Sequence, residues 1–393
     1  MKKRFSYYMP TEVIFGAGTL KQLAKVSLPG KKALLVISAG TSVKKYGYLD
    51  RVIDYLKENG VEAIVFDKIL PNPIVEHVEE GAKVAKKNKC DFIIGLGGGS
   101  TIDSSKSIAL MATNEGEYWD YISGGSGKGE KVKNNALPIV AITTTAGTGT
   151  EADPWTVITK TDTNEKIGFG CKSTFPTLSI VDPELMVSVP PKFTAYQGMD
   201  AFFHAAEGYL ASVNQPASDS HALEAVKLIT KSLPIAVKDG NDIEARTEVA
   251  WANTAAGIVE SLSSCISHHS MEHALSAYHP ELPHGAGLIC LSVSYFSYMA
   301  SKCPNRFIAL ADAMGEKVEG NTDEERAQAF ITALKKLIKN IGMEDLKLSD
   351  FGIKKEEAPK LAKNAMETMG GLFTVDPYKL SYEEVVKIYE NCL

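Results

Sequence analysis

Residues 91–103 read DFIIGLGGGSTID, and this stretch decides the fold class. Its first part is an unbroken apolar run, which is typical of a strand that is buried on both faces of a parallel sheet. Its second part places three glycines directly before a helical segment. Glycines let the backbone approach a diphosphate, and the helix N-terminus adds free N–H groups and a partial positive charge. A tight turn would explain the glycines alone, but their place between a strand and a helix indicates a dinucleotide-binding loop.

Strands alternate with helices around this loop. Apolar runs predict further strands at 33–37, 62–66 and 137–142. One helix is expected at 49–59, before Gly60, and another is expected to open at Pro73, because the first helical position tolerates proline. This order predicts a parallel sheet with crossover helices. Residues 114–135 are rich in glycine, serine and lysine and are expected to form a surface loop with little core.

The pattern changes after a proline-rich connection at 182–191. Beyond it the sequence is helical to its end, and a capping-box sequence at Thr322 opens a helix that Gly342 ends. We therefore expect two domains. An α/β dinucleotide-binding domain with a parallel sheet occupies residues 1–188, and an all-α, metal-binding domain occupies residues 189–393.

The second domain contains a cluster of histidines. Residues 268–284 hold five of the eight histidines of the chain, and an earlier segment places Asp200 and His204 four residues apart. On a helix this spacing puts both side chains on one face. One carboxylate and several neutral imidazoles suit a divalent first-row ion such as iron or zinc. The pattern predicts a metal site that needs no cysteine.

These motifs carry a resemblance to a known family. Asp-x-x-x-His at 200–204, His-x-x-x-His at 269–273 and Pro-His-Gly at 283–285 resemble the iron-containing (group III) alcohol dehydrogenases, which include butanol and 1,3-propanediol dehydrogenases. The resemblance implies that the metal is held by Asp200, His204, His269 and His284. It places His273 beside the nicotinamide, where it either relays a proton or packs and positions the substrate. His268 and His279 have no place in the motif and are interpreted as neighbours of the site.

The glycine segment resembles the same family. Its motif Gly-Gly-Gly-Ser-x-x-Asp-x-x-Lys is matched from Gly97 to Lys106, and residues 143–151 (TTTAGTGTE) match a second motif that lines the cofactor pocket. The resemblance implies the dehydroquinate synthase-like fold of the iron-type alcohol dehydrogenases. The cofactor contacts that it implies are Gly40, Ser42, Gly97, Gly98, Gly99, Ser100, Asp103, Thr144, Thr145, Thr148, Lys166 and Leu178.

The loop after the first dinucleotide strand bears on the choice of cofactor. Enzymes that use NAD usually place an acid there to bind the ribose 2′-hydroxyl. Residues 36–45 read VISAGTSVKK and contain no acid. Gly40 and Ser42 would face a 2′-phosphate, whereas Lys44 and Lys45 are explained equally well as solvated charges on a helix. We therefore expect NADP(H) to be favoured over NAD(H).

Composition excludes several classes of function. The chain has 393 residues, 44% of them apolar and 23% charged, with a net charge of −6. It contains no basic stretch for nucleic acid and no run of 18 apolar residues for a membrane. The six cysteines form no Cys-x-x-Cys pair, so we interpret them as reduced thiols and expect a cytoplasmic enzyme. We also expect a homodimer or larger homo-oligomer.

The function implied by the resemblance is a metal-dependent alcohol dehydrogenase or aldehyde reductase. It would transfer hydride reversibly between NAD(P) and a short-chain primary alcohol or aldehyde such as butanol or butanal, with Fe²⁺ as the favoured ion and Zn²⁺ as the alternative. A dehydroquinate synthase-like or glycerol dehydrogenase-like enzyme is the second interpretation. A lyase of that kind needs basic residues around a charged substrate, and the histidine region is instead flanked by Phe202, Phe203, Tyr278 and Leu282. A non-enzymatic nucleotide-binding module would leave the metal ligands unexplained.

Overall fold

The computed structural model describes residues 4–393, and the chain divides into two compact units. One unit is Met9–Ser188, and the other is Val189–Leu393 together with residues 4–8. The predicted division assigned residues 4–8 to the first domain. They belong to the second because the Ser6 carbonyl accepts a hydrogen bond from Gln215 Nε2 at 3.1 Å.

The first unit is an α/β structure, as the sequence predicts. Its six-stranded sheet has the order β1-β8-β5-β4-β2-β3 with every neighbouring pair parallel, and β6 and β7 form a separate antiparallel pair. The strands are β1 Glu12–Phe15, β2 Lys32–Ser38, β3 Glu62–Ile69, β4 Phe92–Gly97, β5 Ile139–Thr143, β6 Trp155–Lys160, β7 Glu165–Gly170 and β8 Leu178–Val181. The helices are α1 Ser42–Lys45, α2 Tyr48–Glu58, α3 Val75–Asn88 and α4 Gly99–Met111, with 3₁₀ turns at Thr19–Ala24, Tyr118–Tyr121, Lys172–Thr174 and Pro183–Leu185.

Three local predictions for this unit need correction. Helix α3 begins at Val75 and not at Pro73, because Ile74 is extended and pairs with Thr159 of β6. The segment 114–135 is not an open surface loop, since Tyr118, Trp119 and Tyr121 are buried in it. The β6–β7 hairpin was not predicted.

The order of the strands marks one point on the sheet. Strands β2 and β4 are neighbours. The chain leaves β2 toward β3 at one edge of the sheet and leaves β4 toward β5 in the direction of the other edge. In open parallel sheets, ligands bind at the carboxyl ends of the strands beside such a switch in direction. The loop after β2 and the glycine loop after β4 both lie at this edge.

The second unit is helical, as predicted. Its helices are α5 Pro191–Leu210, α6 Pro216–Lys238, α7 Ile243–Leu262, α8 Ser267–Tyr278, α9 His284–Lys302, α10 Asn305–Ala313, α11 Asp323–Asn340, α12 Ala358–Thr368, α13 Gly370–Thr374 and α14 Tyr382–Cys392, with 3₁₀ turns at Leu348–Phe351 and Lys355–Glu357. The capping box that opens α11 is confirmed: Glu325 N–H donates to Thr322 Oγ1, and Thr322 N–H donates to the Glu325 carboxylate.

Helix α5 lies at the centre of this unit, packed against α6, α7 and α9. From Thr194 to its end only Gln197 is not buried. An acid or a histidine on such a helix must find its partners inside the protein. Over residues 4–393, no helix has both the length and the apolar character needed to cross a bilayer.

Candidate functional site

Helix α5 carries three ionisable side chains along one face: Asp200, His204 and Glu207. Their exposed fractions are 4%, 6% and 0%. Their spacing of four and then three residues follows the turn of the helix, so the three side chains project to the same side. Helices α8 and α9 supply the histidines that meet them.

Three imidazoles converge on one oxygen of Asp200. Oδ1 lies 3.5 Å from each of three nitrogens, namely His204 Nδ1, His269 Nε2 and His284 Nε2. These separations are longer than good hydrogen bonds. Among residues 4–393, neither Asp200 Oδ1 nor His269 Nε2 has a hydrogen-bond partner, although both atoms are buried. Buried polar atoms without partners are rare and call for an explanation. The ligand atoms of Asp200, His269 and His284 lie within 4.8 Å of one another and form a donor set that fits a divalent metal ion, and His204 faces the same carboxylate oxygen.

Each of the three imidazoles contacts a glutamate through its other nitrogen. His204 Nε2 lies 2.8 Å from Glu260 Oε1, His269 Nδ1 lies 2.7 Å from Glu207 Oε1, and His284 Nδ1 contacts Glu272 Oε2. An ionised carboxylate only accepts hydrogen bonds, so the nitrogen facing it carries the hydrogen. The opposite nitrogen then keeps its lone pair for a metal, and the ring orientation is fixed.

The sequence reasoning missed these three glutamates. Glu207 and Glu272 had a readable signal, because each follows a predicted ligand histidine by three residues and so lies one helical turn away. Glu260 had none. It lies in the last turn of α7, and only the packing of α7 against α5 brings it to His204.

The charges of this cluster shift the acidity of its members. Burial raises the pKa of Asp200, but the charges of His204 and His284 outweigh burial and hold it below its ordinary value. Burial lowers the pKa of His204, but the carboxylates of Glu260 and Asp200 raise it well above the ordinary value. Without a metal, the His204 ring therefore holds protons in place of a cation. A metal ion must displace them, so its binding weakens as the pH falls.

His273 lies beside the ligand histidines. It is 5% exposed, and its ring centroid lies 5.3 Å from that of His284 and 6.4 Å from that of His269. Its Nδ1 lies 2.7 Å from the sulfur of Met369. One of its ring nitrogens also lies within 4.8 Å of ligand atoms of Glu272 and His284, so His273 is part of the same cluster.

The two remaining histidines of the cluster differ from each other. His268 is fully buried, with Nδ1 2.6 Å from Glu207 Oε1 and Nε2 3.1 Å from the Leu288 carbonyl oxygen. It therefore braces the glutamate that holds His269, a role that the sequence did not indicate. The side chain of His279, in the connection after α8, lies with Nε2 3.1 Å from Oε1 of the partly exposed Glu357.

In the other unit, the predicted glycine and threonine motifs come together. Strand β4 ends at Gly97, and α4 begins at Gly99. A Cβ atom at Gly99 would overlap the side chain of Thr148, and one at Gly98 would lie 3.0 Å from the side chain of Thr145. Thr144 N–H donates to the Gly97 carbonyl at 3.0 Å. Close approach of the two loops therefore requires glycine at these positions, and Ser100 follows in the first turn of α4.

Asp103, a predicted cofactor contact, forms hydrogen bonds inside the protein. Its Oδ1 accepts from Thr150 Oγ1 at 2.6 Å, and its Oδ2 accepts from Val157 N–H at 2.9 Å. The fully buried Lys106 also bonds Thr150 and pairs with Asp153 at 2.9 Å. These residues fix the segment 150–157 against α4, because they lie on its buried face.

The other predicted cofactor residues are placed differently from one another. Gly40, in the loop after β2, and Ser42, the first residue of α1, are both exposed. Lys166, on β7, donates to Asn72 in the loop after β3, also at the carboxyl edge. Leu178 is not brought to this edge: it pairs with Val140, at the level of Ile94, and its side chain is part of the core. The register of β8 thus places it three residues short of the end of the strand.

Comparison with known proteins agrees with this geometry. The iron-containing alcohol dehydrogenase family model matches residues 10–183, and the model of the C-terminal region of Fe-containing alcohol dehydrogenases matches residues 194–393. The chain is 34% identical to a 1,3-propanediol dehydrogenase of Klebsiella pneumoniae, over 99% of both chains. It is 35% identical to an NAD-dependent methanol dehydrogenase of Bacillus methanolicus, over 99% of this chain and 100% of the relative.

A solved structure gives the same result. The H277A mutant of ADH/D1, an archaeal halo-thermophilic alcohol dehydrogenase from a Red Sea brine pool, superposes with a TM-score of 0.94 at 34% identity, over 100% of both chains. The resemblance seen in the sequence motifs is thereby confirmed. The chain belongs to the iron-containing alcohol dehydrogenases, oxidoreductases that interconvert alcohols and aldehydes by acting on the CH–OH group.

Proposed function

We propose that this alcohol dehydrogenase interconverts short-chain primary alcohols and aldehydes, such as butanol and butanal, with a divalent ion held by Asp200, His204, His269 and His284. The single observation that carries the proposal is the position of three imidazole nitrogens 3.5 Å from one carboxylate oxygen. When bound, the ion supplies Lewis acidity, which lowers the pKa of an oxygen ligand and polarises a carbonyl.

The surrounding side chains keep the metal-binding atoms in place. Glu207, Glu260 and Glu272 each accept a hydrogen bond from one ligand imidazole. This contact fixes the orientation and the tautomer of the ring. His268 restrains Glu207 through Oε1, the oxygen that also contacts His269. The centre is thus organised before an ion arrives, and its carboxylates offset the charge that the ion brings.

We assign Fe²⁺ as the ion, with Zn²⁺ as the alternative. Imidazole suits both metals, and the carboxylate of Asp200 makes the set harder than an all-nitrogen site. The name of the family supports iron.

His273 is proposed to relay the proton between the substrate oxygen and solvent and to position the nicotinamide. It lies one helical turn from His269, and its ring is close to His284 without facing Asp200. A general acid-base group at such a position contributes roughly 10²- to 10⁴-fold to the rate. The other assignment, a residue that packs and positions the substrate, predicts a smaller loss of rate when it is removed.

The diphosphate of the cofactor is assigned to the loop from Gly97 to Ser100 and the N-terminus of α4, with Thr144, Thr145 and Thr148 beside it. Free N–H groups at the start of a 13-residue helix and the absence of side chains at the glycines favour an anion there. Lys166 is proposed to contribute from β7.

The cofactor is proposed to be NADP(H) in preference to NAD(H). The loop after β2 carries no acid, and Gly40 has only the Ser38 hydroxyl near the place of a Cβ atom, at 3.4 Å. Lys44 forms an ion pair with Asp67 at 2.6 Å, which leaves Gly40 and Ser42 as the residues assigned to the 2′-phosphate. The relative from Bacillus methanolicus is named an NAD-dependent methanol dehydrogenase, so the proposed preference would distinguish this chain from that relative.

The experiment is a substrate panel on metal-stripped and reconstituted enzyme with both cofactors. Nicotinamide absorbance should change with butanol or butanal after Fe²⁺ is added, and less before. Full turnover in metal-free protein would refute the metal dependence, and a higher kcat/KM with NAD than with NADP would refute the choice of cofactor.

We also propose a homodimer or larger homo-oligomer in the cytoplasm. All six cysteines are free thiols, which fits a reducing compartment. Sedimentation analysis of the purified chain measures its oligomeric state, and a monomer at micromolar concentration would contradict the proposal.

A further inference from the structure

A thiol lies among the donors of the proposed metal centre. Cys265 is in the short connection between α7 and α8, two residues before the start of α8. The ligand atoms of Cys265, His204 and His269 all lie within 4.8 Å of one another. The ligand atoms of Asp200, His269 and His284 form a second group and also lie within 4.8 Å of one another. These two sets of donors overlap at His269, and only the first contains sulfur.

Glu260 joins the thiol to the histidines. Its Oε1 accepts a hydrogen bond from Cys265 Sγ at 2.9 Å and also lies 2.8 Å from His204 Nε2. A sulfur, an imidazole nitrogen and a carboxylate oxygen therefore meet at one point. Sulfur, nitrogen and carboxylate oxygen are the three ligand types of protein-bound zinc.

A second observation comes from His269. Its Nε2 is buried and makes no hydrogen bond within residues 4–393, and the Asp200 oxygen that it faces is 3.5 Å away. The residue is 3% exposed, so water does not readily supply a partner. His269 belongs to both donor sets, and because Glu207 holds its Nδ1, Nε2 is the nitrogen that either set would use. Because one nitrogen binds one ion, the two sets are alternatives and are not two sites that fill together.

We propose that a thiophilic divalent ion, Zn²⁺ or Co²⁺, is bound through the Cys265 thiolate together with His204 and His269, whereas a harder ion is held by Asp200, His204, His269 and His284. Thiolate ligands favour zinc, and carboxylates favour harder ions such as Mn²⁺. The ion that is loaded thus decides which side chains hold it. This inference rests on the proposed metal-dependent function and adds Cys265 to its ligands.

The exchange of bonds is balanced within the chain. Metal binding breaks the S–H bond of Cys265 and forms a sulfur–metal bond, and the proton passes to the Glu260 carboxylate that already accepts it. No electron is transferred, and no oxidant or reductant is needed. Release of that proton to solvent then depends on the buffer.

Co²⁺ provides a spectroscopic test on the full-length, metal-stripped enzyme. The Co²⁺ form should show a sulfur-to-cobalt charge-transfer band in the near ultraviolet. C265S should lose this band, and its affinity for Zn²⁺ should fall by more than the roughly 10- to 100-fold that follows loss of an outer-shell partner. Its affinity for Mn²⁺ should change much less. C303S is the matched control, because Cys303 lies in the same unit and bonds only the Met299 carbonyl.

X-ray absorption of the unsubstituted Zn²⁺ form keeps the inference testable if C265S fails to fold. One sulfur at about 2.3 Å supports the inference, and a shell with only nitrogen and oxygen at about 2.0–2.2 Å overturns it. Bound Co²⁺ without a charge-transfer band also overturns it while leaving the proposed function intact. If neither Co²⁺ nor Zn²⁺ binds, the inference and the proposed metal-dependent function fail together.

Discussion

Glu207→Gln tests how far the metal centre depends on its supporting carboxylates. Glu207 is fully buried and accepts three hydrogen bonds: Oε1 from His268 Nδ1 and His269 Nδ1, and Oε2 from Ile266 N–H at 3.0 Å. Glutamine has the same shape but only one accepting oxygen. If the amide oxygen keeps the hydrogen bonds from both histidines, the amide NH₂ group faces the Ile266 N–H. Two hydrogen-bond donors then oppose each other.

The magnitude follows from these contacts. A buried donor without a partner costs about 1–3 kcal/mol, so the metal-free variant should lose at least that much of its free energy of unfolding. Without the negative charge, His269 Nδ1 is held less firmly, and metal affinity should fall by roughly 10- to 100-fold.

Two assays measure the two effects separately. Urea unfolding of the metal-free protein gives the loss of stability, and competition with a chelator of known affinity gives the loss of metal binding. Glu224→Gln is the control, since Glu224 lies exposed on α6 and should leave both values unchanged. Unchanged metal affinity in Glu207→Gln would refute the role that we assign to the carboxylate.

Three further predictions concern other parts of the chain. Gly99→Ala should raise the KM for the cofactor and lower the free energy of unfolding by about 1–3 kcal/mol, because its Cβ would overlap Thr148. Gly370→Ala is the control, since its Cβ would meet nothing within 4 Å. It should change neither value in kinetic and unfolding assays. Gly40→Asp should raise the KM for NADP more than the KM for NAD in steady-state kinetics, and an equal change would refute the assignment of the phosphate site. Burial raises the pKa of Asp376 from 3.8 to about 7. Between these two pH values the folded chain keeps a proton that the unfolded chain releases, so the free energy of unfolding should fall as the pH rises from about 4 to about 7. Relative to wild type, Asp376→Asn should gain on the order of 4 kcal/mol between pH 4 and pH 7 in unfolding measurements, and parallel stability curves would contradict this.

The sequence predicted the fold class because its signals were local. The apolar run of β4 and the glycines after it identify a strand, a turn and a helix within one window. The hairpin of β6 and β7 was missed because it follows a glycine- and threonine-rich stretch that reads as a loop. The buried aromatics Tyr118, Trp119 and Tyr121 were missed because they lie in a stretch, residues 114–135, that is rich in glycine, serine and lysine.

The candidate site was predictable only in part, for the same reason. Asp200 and His204 share a helix face, so their spacing is visible in the sequence. The roles of Glu260 and Cys265 depend on how α7 packs against α5 and where the next connection turns, and no spacing rule contains that information. Leu178 was assigned by resemblance, and the register of β8 is a tertiary property that the motif does not report.

The metal content of two purified variants tests the central claim most directly. The claim is that Asp200, His204, His269 and His284 bind the ion and that His273 does not. After identical loading with Fe²⁺, the metal-to-protein ratio of His284→Ala should fall far below that of wild type, and that of His273→Ala should equal it even though its activity is reduced. A full complement of metal in His284→Ala, or its loss in a folded His273→Ala protein, would show that the donor set has been assigned to the wrong histidine.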